Sequence, residues 1–141
     1  MKPGRLLIAS TAACAVAGCM PWPHRHYFAP ETEGVVSDAG APVAGCGVTL
    51  SALFSEDTST AVTDANGHFV LKPLREWEFF VGLIGDPYYR YSVNIQRNGQ
   101  EQLGFSGSEV GFAPAHVELT CDLSKAIGPA KQRRYCSGPE N

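Results

Sequence analysis

From Gly34 onward, apolar and polar positions alternate one by one. Val48, Leu50 and Ala52 alternate with Thr49 and Ser51, and Phe69 and Leu71 with Val70 and Lys72. Tyr91, Val93 and Ile95 alternate with Ser92, Asn94 and Gln96; Val117, Leu119, Cys121 and Leu123 alternate with Glu118, Thr120 and Asp122. Successive side chains of a strand point to opposite faces, so a period of two marks strands that bury one face. Turn-formers separate the runs: Asp38-Ala-Gly40-Ala-Pro42, Asp64-Ala-Asn66-Gly67, Gly85-Asp-Pro87, Asn98-Gly99 and Ser106-Gly-Ser108. Asn and Gly accept positive φ, so Asn66-Gly67 and Asn98-Gly99 predict hairpin turns. The pattern predicts seven or eight strands, at roughly 33–38, 46–53, 59–63, 67–73, 77–84, 89–97, 101–106 and 115–122. Two packed layers of such strands make an all-β sandwich over 33–123. The stretch 124–141 is basic, contains Gly and Pro, and reads as an irregular tail.

Composition narrows the classes. A chain of 141 residues is one domain as a prior, and 44% hydrophobic residues supply a core. Fifteen Gly and ten Pro argue against a helical bundle. A net charge of −3 leaves no basic field, which excludes a nucleic-acid partner. No apolar run reaches the roughly 18 residues of a spanning helix.

The N-terminus carries an address. Lys2 and Arg5 form a positive start, and Leu6 to Ala17 is uncharged and apolar, the length of a signal-peptide core. Val16-Ala17-Gly18-Cys19 resembles the lipobox of bacterial lipoproteins. The resemblance implies a signal peptide over 1–18, cleavage before Cys19, and a diacylglycerol on its thiol with palmitate-type acylation. It also implies membrane attachment through this lipid anchor, strong because more than one acyl chain is present. Cys14 leaves with the signal peptide, and residues 19–141 keep nine basic and 14 acidic residues. Met20, rather than Asp, after the lipidated Cys favours the outer membrane by the sorting pattern of enteric bacteria. Residues 19–32 hold Pro21, Pro23 and Pro30 and read as an extended, semi-rigid tether. Trp22, Tyr27 and Phe28 there suit either the lipid interface or the domain surface. His24 and His26 alternate as two metal ligands would, but without a third ligand nearby a polar tether is the better reading.

Two further motifs point to a family. Gly34-Val-Val36-Ser-Asp38-Ala-Gly40-Ala-Pro42-Val43-Ala-Gly45-Cys46-Gly-Val48-Thr-Leu50 resembles the opening of carboxypeptidase regulatory-like domains, which are transthyretin-like β-sandwiches. Thr63-Asp64-Ala65-Asn66-Gly67-His68-Phe69 is similar to their second signature, read as a hairpin that sends Phe69 into the core. The resemblance covers about 33–84, and the alternating strands continue it to 123. It implies an architecture, transthyretin-like or immunoglobulin-like, and no activity. The hydroxyisourate hydrolases of the transthyretin fold end in Tyr-Arg-Gly-Ser, whereas this chain has Tyr135-Cys136-Ser137-Gly138.

Chemistry is sparse. With Cys19 taken by lipid, Cys46, Cys121 and Cys136 remain, an odd number in an oxidising compartment. Cys46 and Cys121 are in register with inward positions. A Cys121–Cys136 bridge would pin the tail; bridges from Cys46 to either remain alternatives. Neither His68 nor His116 has metal-ligand spacing, and there is no Gly-x-Ser-x-Gly elbow. Asp57, Asp64, Asn66 and Asp86 lie in loops as turn-makers rather than calcium ligands. No catalytic residue, metal or cofactor is expected. Asp86, Tyr88 and Arg90 are the candidate partner surface, because Tyr and Arg dominate interfaces and alternation turns Tyr88 and Arg90 outward. The expected function is therefore a non-enzymatic envelope lipoprotein that binds a protein or an envelope polymer. The alternatives are an outer-membrane lipoprotein subunit of a type VI-like secretion apparatus and an envelope inhibitor or immunity lipoprotein.

Overall fold

The computed structural model of the chain describes residues 24–78 and 86–139. Among them are eleven strands: β1 His24–Ala29, β2 Glu31–Asp38, β3 Ala41–Pro42, β4 Gly47–Ala52, β5 Thr58–Val62, β6 His68–Leu71, β7 Leu74–Glu78, β8 Tyr88–Arg97, β9 Gln100–Val110, β10 His116–Asp122 and β11 Cys136–Ser137. One sheet runs β11-β10-β2-β3, with β6 also paired to β2. The other runs β5-β4-β8-β9, and β1 pairs with β7 as a separate ribbon. The chain is an all-β sandwich.

The count exceeds the expected seven or eight, for local reasons. The supposed tether, 19–32, becomes strand from His24 on. β1 satisfies its backbone by pairing with β7, and the fully buried Ala29 and Thr32 tie it to the core. β3 is a two-residue return after the tight turn at Ala39 and Gly40, both at positive φ. β11 lies inside the supposed irregular tail, paired to β10 at Thr120 and Cys121. The expected strand over 77–84 starts earlier, as β7; residues 79–85 lie outside the described residues.

The core is the inward half of the predicted alternation. Val48, Leu50, Phe69, Leu71, Val93, Ile95, Val117 and Leu119 are all buried. β2 and β10 run parallel, His116 opposite Glu31 through Asp122 opposite Ser37. A parallel pair needs a long crossover, and here almost the whole sandwich is that crossover. The N- and C-terminal parts of the domain thus close on each other.

Asn98-Gly99 does form the hairpin between β8 and β9. Asn66-Gly67 does not: β5 and β6 lie in different sheets, so this turn is an arch between layers. Its residues explain why. The Asp64 carboxylate accepts the backbone N–H of Asn66 at 2.8 Å and of His68 at 2.9 Å. Thr63 is buried; its hydroxyl donates to the Val43 carbonyl at 2.7 Å and accepts from the Cys46 N–H at 2.9 Å. Gly67 sits at φ +76°, and a Cβ there would collide with the Val36 carbonyl. The Val36 N–H donates to the Gly67 carbonyl at 2.8 Å, which swings the chain across to β2.

Phe69 leads out of this arch and is 2% exposed beneath Gly34, whose missing Cβ makes room for the ring. Phe69→Ala is expected to cost about 3–5 kcal/mol of stability, measured by urea unfolding. A loss under about 1 kcal/mol would place the ring outside the packed core.

Candidate functional site

Alternation along β8 separates two surfaces. Tyr89, Tyr91, Val93 and Ile95 face the core, while Tyr88 and Arg90 face outward. Across the hairpin, Tyr88 opposes Val110, Arg90 opposes Ser108 and Ser92 opposes Ser106. The Ser92 hydroxyl also meets that of Ser51 at 3.0 Å. A bulge follows Val93, where Phe105 pairs with Val93 and Leu103 with Asn94. The extra residue, Gly104, reverses the alternation, so Phe105 is buried while Leu103 reaches the outer face.

The tail passes over this outer face. Its anchor is the Cys121–Cys136 disulfide, the pairing favoured from sequence. The Tyr135 N–H donates to the Gly104 carbonyl at 3.1 Å, and the Asp122 N–H to the Tyr135 carbonyl at 2.9 Å. Upstream, Ile127 and Arg134 exchange two backbone hydrogen bonds, at 2.7 and 2.9 Å, which folds 127–134 into a small loop. Arg134 lies 5.9 Å from the centre of the Phe105 ring, a cation–π contact.

Between loop and sheet lie two adjoining clefts of about 590 and 610 Å³ that share Ser106 and Arg134. Arg90, Ser92, Ser108 and Gln132 complete the polar lining of the second. Among the described residues no carboxylate lines either cleft. Two guanidinium forks and a row of serine hydroxyls offer donors to an acceptor-rich ligand, such as a carboxylate or a sugar.

The structure divides the residues expected to form a partner surface. Arg90 lines the cleft, Tyr88 stands at its end with 42% exposure, and Asp86 is exposed outside it. Sequence reasoning missed Ser106, Gln132 and Arg134. The basic run Lys131-Gln-Arg-Arg134 beside Cys136 was the available signal, because the disulfide decides where that run lies. Cys46 is buried and unbridged; burial pushes its thiol up, against the opposing pull of the Arg97 guanidinium. His68 is exposed, as alternation requires. His116 lies 3.6 Å from the Glu31 carboxylate and 3.2 Å from that of Glu33. Among the described residues no group of three His, Cys, Asp or Glu side chains is arranged to hold a metal.

The inward tyrosines brace the cleft floor. Tyr91 packs on Gly107, where a Cβ would lie 2.7 Å from its ring. It stacks on Tyr89 at 6.1 Å and tilts against Phe105 at 6.2 Å. Burial, reinforced by Tyr89, pushes the Tyr91 phenol up to about 12. Burial also raises Tyr89, as does the Glu109 carboxylate, which accepts its hydroxyl at 3.5 Å.

No family model, curated protein or solved structure matches the chain.

Two outcomes follow from the site. Tyr88→Ala with Arg90→Ala removes outward side chains only, so captured partners are lost while Tm stays nearly unchanged; retained capture would remove these residues from the partner surface, and a large fall in Tm would make them structural. The raised Tyr91 phenol stabilises the fold fully below its ordinary value of 10, and that contribution is lost as pH rises through about 12. Tm is therefore expected to hold up to about pH 10 and fall above it. Tyr91→Phe is expected to flatten that alkaline limb.

Proposed function

We propose that this chain is a non-enzymatic lipoprotein of the bacterial envelope, anchored at Cys19 in the outer membrane, whose β-sandwich is a binding module. The observation that carries the reading is the Cys121–Cys136 disulfide on a chain that opens with a lipobox-like leader. Disulfides persist in oxidising compartments and are rare in the cytosol, so the bridge supports the export that the leader independently implies. The resemblance to carboxypeptidase regulatory-like domains fits the same reading. Their two signature runs here make the Asp38 turn and the Thr63–Gly67 arch, which are architectural parts.

The binding role falls to the cleft between β9 and the tail. Its arginines and serines match a carboxylate-bearing or hydroxyl-rich partner, as wall polymers and protein surfaces both supply. The test of the anchor is Cys19→Ala. The variant is expected to stay uncleaved or become soluble and to leave the detergent phase on phase separation. Normal membrane fractionation of Cys19→Ala would overturn the reading.

A further inference from the structure

The sandwich has one end at which apolar side chains face water. Leu53 and Phe54 follow β4 and are 57% and 59% exposed. The Leu53 N–H donates to the Arg90 carbonyl at 2.9 Å, which fixes this turn beside the start of β8. Tyr88 opens β8 opposite Val110, the last residue of β9, and Val110 is 63% exposed. The Gly111 N–H donates to the Pro87 carbonyl at 2.6 Å, and Phe112 beyond it is 71% exposed. All these residues leave the same ends of β4, β8 and β9. An apolar group this dense at one end of a small domain marks a contact surface.

The β1–β7 ribbon extends the same end. The His26 ring lies 6.3 Å from the Phe112 ring, and His26 pairs with Glu76. One rung nearer the start of β1, Arg25 pairs with Trp77 and stands 5.0 Å over its ring. Trp77 is 60% exposed. Trp and Tyr carry a wide apolar body and a polar tip, the chemistry that settles at a lipid–water boundary.

The direction of the chain says what covers this end. β1 begins here at His24, and Cys19 lies five residues upstream. Five residues span at most about 18 Å. We infer that the apolar end, centred on Phe54, Tyr88, Phe112 and Trp77, is a membrane-docking face that rests on the lipid surface to which Cys19 is anchored. The inference rests on the lipoprotein reading for its tether. Charge also selects the kind of surface. Arg25, Arg75 and Arg90 at this end are offset by Glu56, Asp57, Glu76, Asp86 and Glu109, all exposed. With no excess of positive charge, docking is apolar insertion into a zwitterionic interface and needs no anionic lipid.

The chain has two tryptophans, Trp22 and Trp77. The test uses the full chain with Trp22→Phe, purified from membranes and reconstituted in phosphatidylcholine vesicles with brominated acyl chains. Trp77 is then the sole reporter. Its emission is expected to fall by about half relative to unbrominated vesicles, since a docked indole sits at the acyl boundary. Added phosphatidylglycerol is expected to leave this quenching unchanged. Phe54→Glu with Phe112→Glu, both on exposed positions, is expected to abolish it with Tm preserved. Unquenched Trp77 in the vesicle-bound protein overturns the docking face. So does a dimer in nanodiscs that the same double substitution dissociates, because the end then meets a second copy. The mass of the N-terminal peptide reports acylation separately. An acylated peptide with unquenched Trp77 keeps the lipoprotein reading and overturns docking; an unmodified peptide with quenched Trp77 does the reverse.

Discussion

The Cys121–Cys136 bridge is the constraint on which the placement of the tail, and with it the cleft, depends. Cys121 is an inward residue of β10, in one sheet; Cys136 opens β11, which lies against β9 of the other sheet. The bond therefore holds the tail in the gap between two sheet edges. The partner strand has yielded space for it: a Cβ on Gly104 would lie 3.0 Å from the Cys136 sulfur, and Gly138 next door leaves room for Leu119 and Phe105. The bulge at Gly104 also frees the carbonyl that accepts the Tyr135 N–H. A loop of 15 residues closed in this way restricts the unfolded chain by about 3 kcal/mol in the chain-entropy account. The same placement brings Arg134 to the cleft.

The domain is also pinned where β2 and β8 end. Arg97, at the end of β8, holds Asp38, at the end of β2, at 2.6 Å across the two sheets. Both side chains are well exposed, so solvent screens the pair and its net worth is small. The buried hydrogen bonds of Thr63 nearby do more, because a buried hydroxyl left unpaired costs more than an exposed ion pair gains. Asp122 strengthens the same corner. Its carboxylate accepts from the Ser124 hydroxyl at 2.6 Å, the Ser124 N–H at 3.0 Å and the Ala39 N–H at 3.2 Å, which holds the acid below its ordinary range.

Much of this fold is legible in the sequence because a one-face-buried strand writes its register into the chain. Val48, Leu50, Tyr91, Val93, Ile95, Val117 and Leu119 are inward as their alternation requires. Pairings between distant residues are less legible. Thr63-Asp64-Ala-Asn66-Gly67 has the composition of a hairpin, yet the turn is an arch, because the partners that decide are Val36, Val43 and Cys46. β1 is hidden for a related reason. His24 to Ala29 has no clean alternation that ends in a turn signal, and it becomes strand only because β7 offers it an edge. The cleft was half visible. Arg90 could be placed outward from its own strand, but Arg134 depends on a disulfide that composition leaves with alternatives.

The outer face of the β8–β9 hairpin shows how one strand pair serves two surfaces. The rungs Ser92–Ser106 and Arg90–Ser108 are polar and lie under the tail loop, where donors remain accessible to a ligand. One rung further, Tyr88–Val110 is apolar, and the adjoining turns carry Leu53, Phe54 and Phe112. Arg90 stands at the boundary, with its side chain in the cleft lining and its carbonyl fixing the apolar turn at Leu53. Because both surfaces sit on one rigid hairpin, the direction of the first fixes that of the second. On the docking proposed above, the arginine cleft would lie along the domain's flank, open to partners that approach parallel to the membrane. That orientation would suit either partner proposed above, an extended polymer or the side of a neighbouring envelope protein, and the donor chemistry of the cleft fits both.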